Sequence, residues 1–168
     1  YIQMGTDEVY GPIATGSWKE DSPLNPTNPY SSTKAAADLL ALTYQKTYKL
    51  PIILVRAENI YGPFQHPEKV IPNWTKRALN DESLLMYGDG KYKRMWLHLE
   101  DATNALVFLL EHGNLGEIYN IAGEEELENL DLAKMILKIL DKPEDKITFV
   151  PDEKIRPFHD RRYSIYPS

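Results

Sequence analysis

Tyr30 and Lys34 stand four residues apart in the run Asn28-Pro-Tyr-Ser-Ser-Thr-Lys34. One turn of helix puts the phenol and the ammonium on one face. A cation beside a phenol favours phenolate, a base usable near neutral pH. A short distance upstream, Gly5-Thr-Asp-Glu-Val-Tyr-Gly11 sets two adjacent carboxyls, Asp7 and Glu8, behind the hydroxyl of Thr6. Two carboxyls with split pKa values can divide general-acid from general-base work. Neither motif is specific alone. Tyr-x-x-x-Lys arises often by chance, and Thr-Asp-Glu equally opens a turn or helix with solvated acids.

The bulk properties bound the function classes. The chain has 168 residues, 42% hydrophobic and 26% charged, which is ordinary globular composition and enough for one core. A net charge of -6 points away from nucleic acid and anionic membrane surfaces as partners. Without cysteine there is no disulfide framework and no thiolate metal site, a composition compatible with a reducing cytoplasm. No apolar run approaches the roughly 20 residues that span a bilayer. His66, His98 and His112 lack metal-ligand spacing, so no metal role is assigned to them. Tyr1-Ile-Gln-Met has no basic n-region and reads as a strand entered midway, so a truncated N-terminus is expected.

The elements that must position these groups read as α/β. Residues 1–6 form a short buried strand, and the Pro- and Gly-punctuated stretch 11–28 a long surface loop. Asn28 as N-cap and Pro29 at N1 open a helix that runs to about Tyr48. Ile52-Ile-Leu-Val-Arg56 is a central strand. Strand–helix–strand order implies a parallel sheet with a crossover. Further on, the pattern predicts a helix over 71–80, a strand over 84–87, a helix over 100–112, a strand over 118–121, a helix over 130–141 capped by Asn129, and a strand over 147–150. The expected organisation is the C-terminal part of a Rossmann-like doubly wound parallel sheet (1–62) followed by a smaller mixed α/β lobe (63–168), the two sharing one core.

Seven motifs occur in order: Gly5-Thr-Asp-Glu-Val-Tyr-Gly11, Pro29-Tyr-Ser-Ser-Thr-Lys-Ala-Ala-Ala-Asp38, Asn59-Ile-Tyr-Gly-Pro63, Pro67-Glu-Lys-Val-Ile-Pro72, Trp96-Leu-His-Leu-Glu-Asp101, Tyr119-Asn-Ile-Ala-Gly123 and Arg156-Pro-Phe-His-Asp-Arg-Arg-Tyr163. The series resembles the extended short-chain dehydrogenase/reductase family and, within it, the nucleotide-sugar 4,6-dehydratases that act on dTDP-glucose. The resemblance covers essentially the whole chain.

That resemblance implies NAD as cofactor, a nucleotide-sugar substrate and a homodimer paired through the helix from Pro29. It implies that Tyr30 takes the sugar C4 hydroxyl proton, with Lys34 lowering the Tyr30 pKa and holding the nicotinamide ribose. Thr6 would bond near the C4 oxygen, Glu8 would take the C5 proton, and Asp7 would protonate the departing C6 hydroxyl. Asn59, Lys69, Arg94, Asn129, Arg156 and His159 map onto substrate contacts. By residue type alone Arg94 and Arg156 are equally solvated surface charges, and His159 equally a structural hydrogen-bonder. Related epimerases and decarboxylases share the Tyr-Lys pair but tend to lack both acids, so the pair favours dehydration.

Several positions depart from the pattern. Ile60 stands where Asn is usual, Glu58 where a small residue is common, Met95 where Asp is usual and Phe158 where Gly is usual. The last two leave UDP-glucose open beside dTDP-glucose. No Gly-x-x-Gly-x-x-Gly loop lies in 1–168. Such a loop seats a dinucleotide pyrophosphate on a helix N-terminus. The chain alone is therefore expected to be an inactive fragment.

Overall fold

The computed structural model describes residues 1–151 and 160–168. The first sheet is wholly parallel, in the order β1 (Ile2–Thr6), β2 (Ile53–Ala57), β6 (Ile118–Ile121). All five residues of β2 are buried, as a run of β-branched and apolar side chains at the middle of a sheet requires. Between β1 and β2 lies α1 (Pro29–Tyr48). Asn28 accepts from Ser31 N at 2.8 Å and Ser31 Oγ closes a reciprocal capping box, while Pro29 needs no donor in the first turn. Lys49, at φ 56°, ends the helix in the left-handed region.

The second sheet is mixed. β3 (Asn59–Tyr61) runs parallel to β5 (Lys93–His98), and β5 antiparallel to β7 (Glu126–Glu128). β4 (Leu84–Tyr87) and β8 (Ile147–Val150) form a parallel pair. Helices α2 (Val70–Leu79), α3 (Leu99–His112) and α4 (Asn129–Ile139) complete the framework. The expected α/β architecture is present, with strands β3, β5 and β7 added to it. One expectation changes at α4. Its N-cap is Glu128, and Asn129 is the first helical residue, held by its own N–H to Tyr92 O at 2.9 Å.

The expected single core is replaced by separate apolar clusters. Trp74, Leu84, Met86, Leu132, Ile136 and Leu137 pack between α2, α4 and β4. Ile53, Val55 and Leu109 form another cluster, and Val9, Tyr10, Ala35 and Ile165 a third. The chain does cross between its parts, but polar residues line the cavity where the C-terminal ends of β1 and β2 meet β3, β5 and α2. A buried ion pair ties α1 to the first sheet: Arg56 Nε donates to Asp38 Oδ2 at 2.9 Å and Nη1 to Tyr10 Oη at 2.6 Å. Tyr10 Oη in turn donates to Asn120 Oδ1 at 3.0 Å, which brings β6 into the network.

The C-terminal segment 160–168 is extended and stitches distant parts together. Trp18 N donates to Ser164 O, Tyr166 N to Trp18 O, and Lys93 N to Arg161 O.

Candidate active site

β1 delivers the acid pair. At its end Thr6 caps a short 3-10 helix, Asp7–Tyr10, accepting from Glu8 N. Gly11, at φ 79°, closes that turn, and a Cβ there would lie 2.4 Å from Asn25 O. The Thr-Asp-Glu tripeptide is therefore a helix start, as its composition allows, but its acids are not both solvated. Asp7 is 5% exposed, while Glu8 is half-buried.

The two carboxyls have different surroundings. Thr6 Oγ1 donates to Asp7 Oδ1 at 3.0 Å. Burial, helped by the neighbouring Glu8 charge and opposed by the Thr6 bond and Arg94, pushes Asp7 up to about 7. Asp7 thus titrates near neutrality rather than in the ordinary carboxyl range. Glu8 accepts from Asn28 Nδ2 at 3.2 Å, so the residue that caps α1 also fixes the second acid.

A cavity of about 450 Å³ opens onto this floor. Thr6, Asp7, Glu8, Tyr30, Asn59 and Lys69 all line it, bringing together six of the residues singled out by sequence. Glu58, Gln65 and Trp96 line it too. The Asn28 contact with Glu8, Gln65 and the burial of Glu58 went unread at the sequence level. An i,i+20 contact such as Asn28–Glu8 has no local signal, although Glu58 already stands out there as a departure.

Tyr30 projects from the first turn of α1 and is 54% exposed. Its environment differs from the expected one. Burial of its inner part, then the charge of Glu8, raise the phenol above its ordinary value, against a lowering by the Thr6 hydroxyl. The Lys34 ammonium is engaged elsewhere, donating to Met4 O at 2.6 Å. Lys34 thereby pins α1 to β1, one turn from Tyr30.

Arg94 stands behind the floor, its guanidinium 4.9 Å from the Tyr163 ring centroid and donating to Asp160 O at 2.9 Å. Its charge reaches Asp7 and Glu8. Asn129 lies outside the residues that line this cavity, beside Tyr92. Arg156, His159 and the departure Phe158 lie outside the described residues. Trp74 is a core residue, 5% exposed. Trp96 both packs on that core and lines the cavity, edge-on to Tyr61. Among the described residues no group of His, Asp and Glu could hold a metal ion, and no helix is long and apolar enough to cross a membrane.

Residues 1–122 match the model of the NAD dependent epimerase/dehydratase family. The chain belongs to that family. It is 48% identical over 98% of its length to the low-salt glycan biosynthesis protein Agl12 of Haloferax volcanii, covering 52% of that protein. It is 44% identical, again over 98%, to a dTDP-glucose 4,6-dehydratase of Streptomyces niveus, covering 48% of it. Among solved structures, a dTDP-glucose 4,6-dehydratase of Bacillus anthracis in complex with NAD superposes with a TM-score of 0.93 at 45% identity, over 99% of this chain and 52% of that one. The chain spans about half the length of the curated relatives it matches. The fold described above is the Rossmann-like fold of that dehydratase.

Proposed function

We propose that this chain carries the acid/base machinery of an NAD-dependent nucleotide-sugar 4,6-dehydratase that converts dTDP-glucose to its 4-keto-6-deoxy product. One observation carries the reading: Asp7 and Glu8 are adjacent, line one cavity with Tyr30, and sit in unlike environments, Asp7 buried and titrating near pH 7, Glu8 half-buried and held by Asn28. Elimination of water needs an acid and a base at neighbouring atoms, and one carboxyl cannot be both at once.

The residues present fit the reactive end of the cofactor. Tyr30 and Lys34 lie one helical turn apart beside the C-terminal end of β1, the edge at which doubly wound sheets bind dinucleotides. They would hold the nicotinamide ribose side. The glycine-rich pyrophosphate loop is not found in 1–168. When bound, NAD supplies hydride acceptance at C4 and return at C6.

Tyr30 takes the C4 hydroxyl proton as phenolate, a form that requires the Lys34 ammonium to turn from Met4 O toward the phenol, with Thr6 bonding the same sugar oxygen. Glu8 removes the C5 proton, which the adjacent C4 ketone has made acidic. Asp7 gives its proton to the C6 oxygen, and that oxygen leaves as water. Glu8 exchanges that proton with solvent and then protonates C5. Asn59 and Lys69 at the cavity, with Arg94, Asn129, Arg156 and His159, are assigned to the nucleotide-sugar, whose diphosphate calls for cations and amide donors.

We assign the cofactor side to 1–62 and the substrate side to 63–168, pair two copies through α1, and place the enzyme in the cytoplasm. UDP-glucose is the second substrate reading, resting on Met95 and Phe158. A 4-epimerase has no leaving oxygen to protonate, so the buried, proton-holding Asp7 speaks against it. The test is turnover in D2O by the complete gene product that carries this chain. Dehydration through Glu8 gives a product that has lost water and gained deuterium at C5. A product with neither change overturns the reading.

A further inference from the structure

Glu58 sits on the link between β2 and β3. It is 5% exposed, as Asp7 is, and both line the same cavity. Its Oε1 accepts Ile165 N–H at 2.9 Å. Its Oε2 is buried and meets no hydrogen-bond donor among the described residues. Burying that oxygen without a partner costs a charged carboxylate far more than a neutral carboxyl, so the neutral form is favoured.

The charged groups that face Glu58 are Asp7 from the 3-10 helix, Glu126 from β7 and Arg162 from the C-terminal segment. Arg162 Nε donates to Glu126 Oε1, so those two largely offset each other. Asp7, which Arg94 offsets only in part, is left as the neighbour that acts most on Glu58.

We propose that Glu58 is a positioning residue, paired with Asp7 beneath the cavity so that the two acids share one negative charge and Glu58 keeps its proton when Asp7 releases its own. The role in turnover rests on the dehydratase reading, but the pairing itself does not. As Asp7 passes its proton to a leaving oxygen, the floor changes by a single charge. The Glu58 carboxyl stays neutral and stays bonded to Ile165, which holds the C-terminal segment against the floor. Burial first, and then the Asp7 charge, push Glu58 up to about 8, in keeping with this order of release.

The pairing is tested on the 15N-labelled chain without substrate, through the Ile165 amide that donates to Glu58. Its resonance should titrate with a midpoint near pH 8, move to lower pH in Asp7→Asn, and lose the titration in Glu58→Gln. A flat Ile165 amide overturns the proposal, as does a midpoint that ignores Asp7→Asn. Neither result needs turnover, so both stand if the dehydratase reading fails.

For the role in turnover, kcat of the complete gene product is compared at about pH 7 and pH 9. One group ionising near pH 8 alters that ratio about tenfold, so the wild type should fall about tenfold further than Glu58→Gln. Equal ratios in wild type and variant remove Glu58 from the reaction.

Discussion

The Thr6 hydroxyl donates to Asp7 Oδ1 at 3.0 Å in a pocket where Asp7 is 5% exposed. One hydroxyl does not replace the water a carboxylate gives up, so Asp7 is pushed up to about 7 and keeps a large share of its proton near neutrality. Next to it, Glu8 is half-buried and has the Asn28 amide as donor. Replacing either acid should remove one half of the elimination. Asp7→Asn and Glu8→Gln are each expected to lower kcat for dehydration by about 10²–10⁴-fold. Activity within a few-fold of wild type in either variant would contradict the assigned roles.

Asp7 also makes stability depend on pH. Its folded pKa, about 7, lies above the ordinary carboxyl value of 3.8, so the folded chain binds the extra proton between those values. Its contribution is full below about pH 4, declines as pH rises, and is lost above about pH 7. Asp7→Asn should therefore stabilise the chain at pH 8 by on the order of 3 kcal/mol relative to its effect at pH 4. Urea melts at the two pH values measure this, and equal effects at both would contradict the assigned environment.

Asp38 and Arg56 bear on the fold rather than the chemistry. Both are buried, and their 2.9 Å bond joins α1, which carries Tyr30, to β2. Asp38→Ala strands the Arg56 guanidinium and should cost about 3–5 kcal/mol. Replacing both partners by apolar residues of similar volume should cost less than the single change. Chemical denaturation of the three variants decides it.

Tyr30 titration separates two accounts of its basicity. Burial and Glu8 raise its phenol, and Lys34 is bonded to Met4 O. The difference in ultraviolet phenolate absorbance between the wild-type chain and Tyr30→Phe should thus place the Tyr30 midpoint above that of an ordinary tyrosine. A phenolate appearing near neutral pH in the chain by itself would mean that Lys34 already acts on Tyr30.

Much of this arrangement was legible in the sequence. Asn28-Pro29 announces the start of α1 because a capping side chain and a fixed φ act locally. The apolar run of β2 announces a strand buried on both faces. β5 is different: Lys-Arg-Met-Trp-Leu-His has no clean alternation, and its pairing with β3 and β7 is set by distant contacts. β3 and β7, at three residues each, are too short to carry a pattern. At the site, Thr6, Asp7, Glu8 and Tyr30 are readable as types at a spacing. The burial of Asp7, the turn of Lys34 toward Met4 and the seat of Glu58 against Ile165 are tertiary, and no local period encodes them.

The most direct measurement is the mass of dTDP-glucose and UDP-glucose after incubation with NAD and the complete gene product, with the 168-residue chain run in parallel. Loss of one water from dTDP-glucose is the predicted result. An unchanged mass for both sugars would contradict the dehydratase account and leave epimerisation or binding without chemistry in its place.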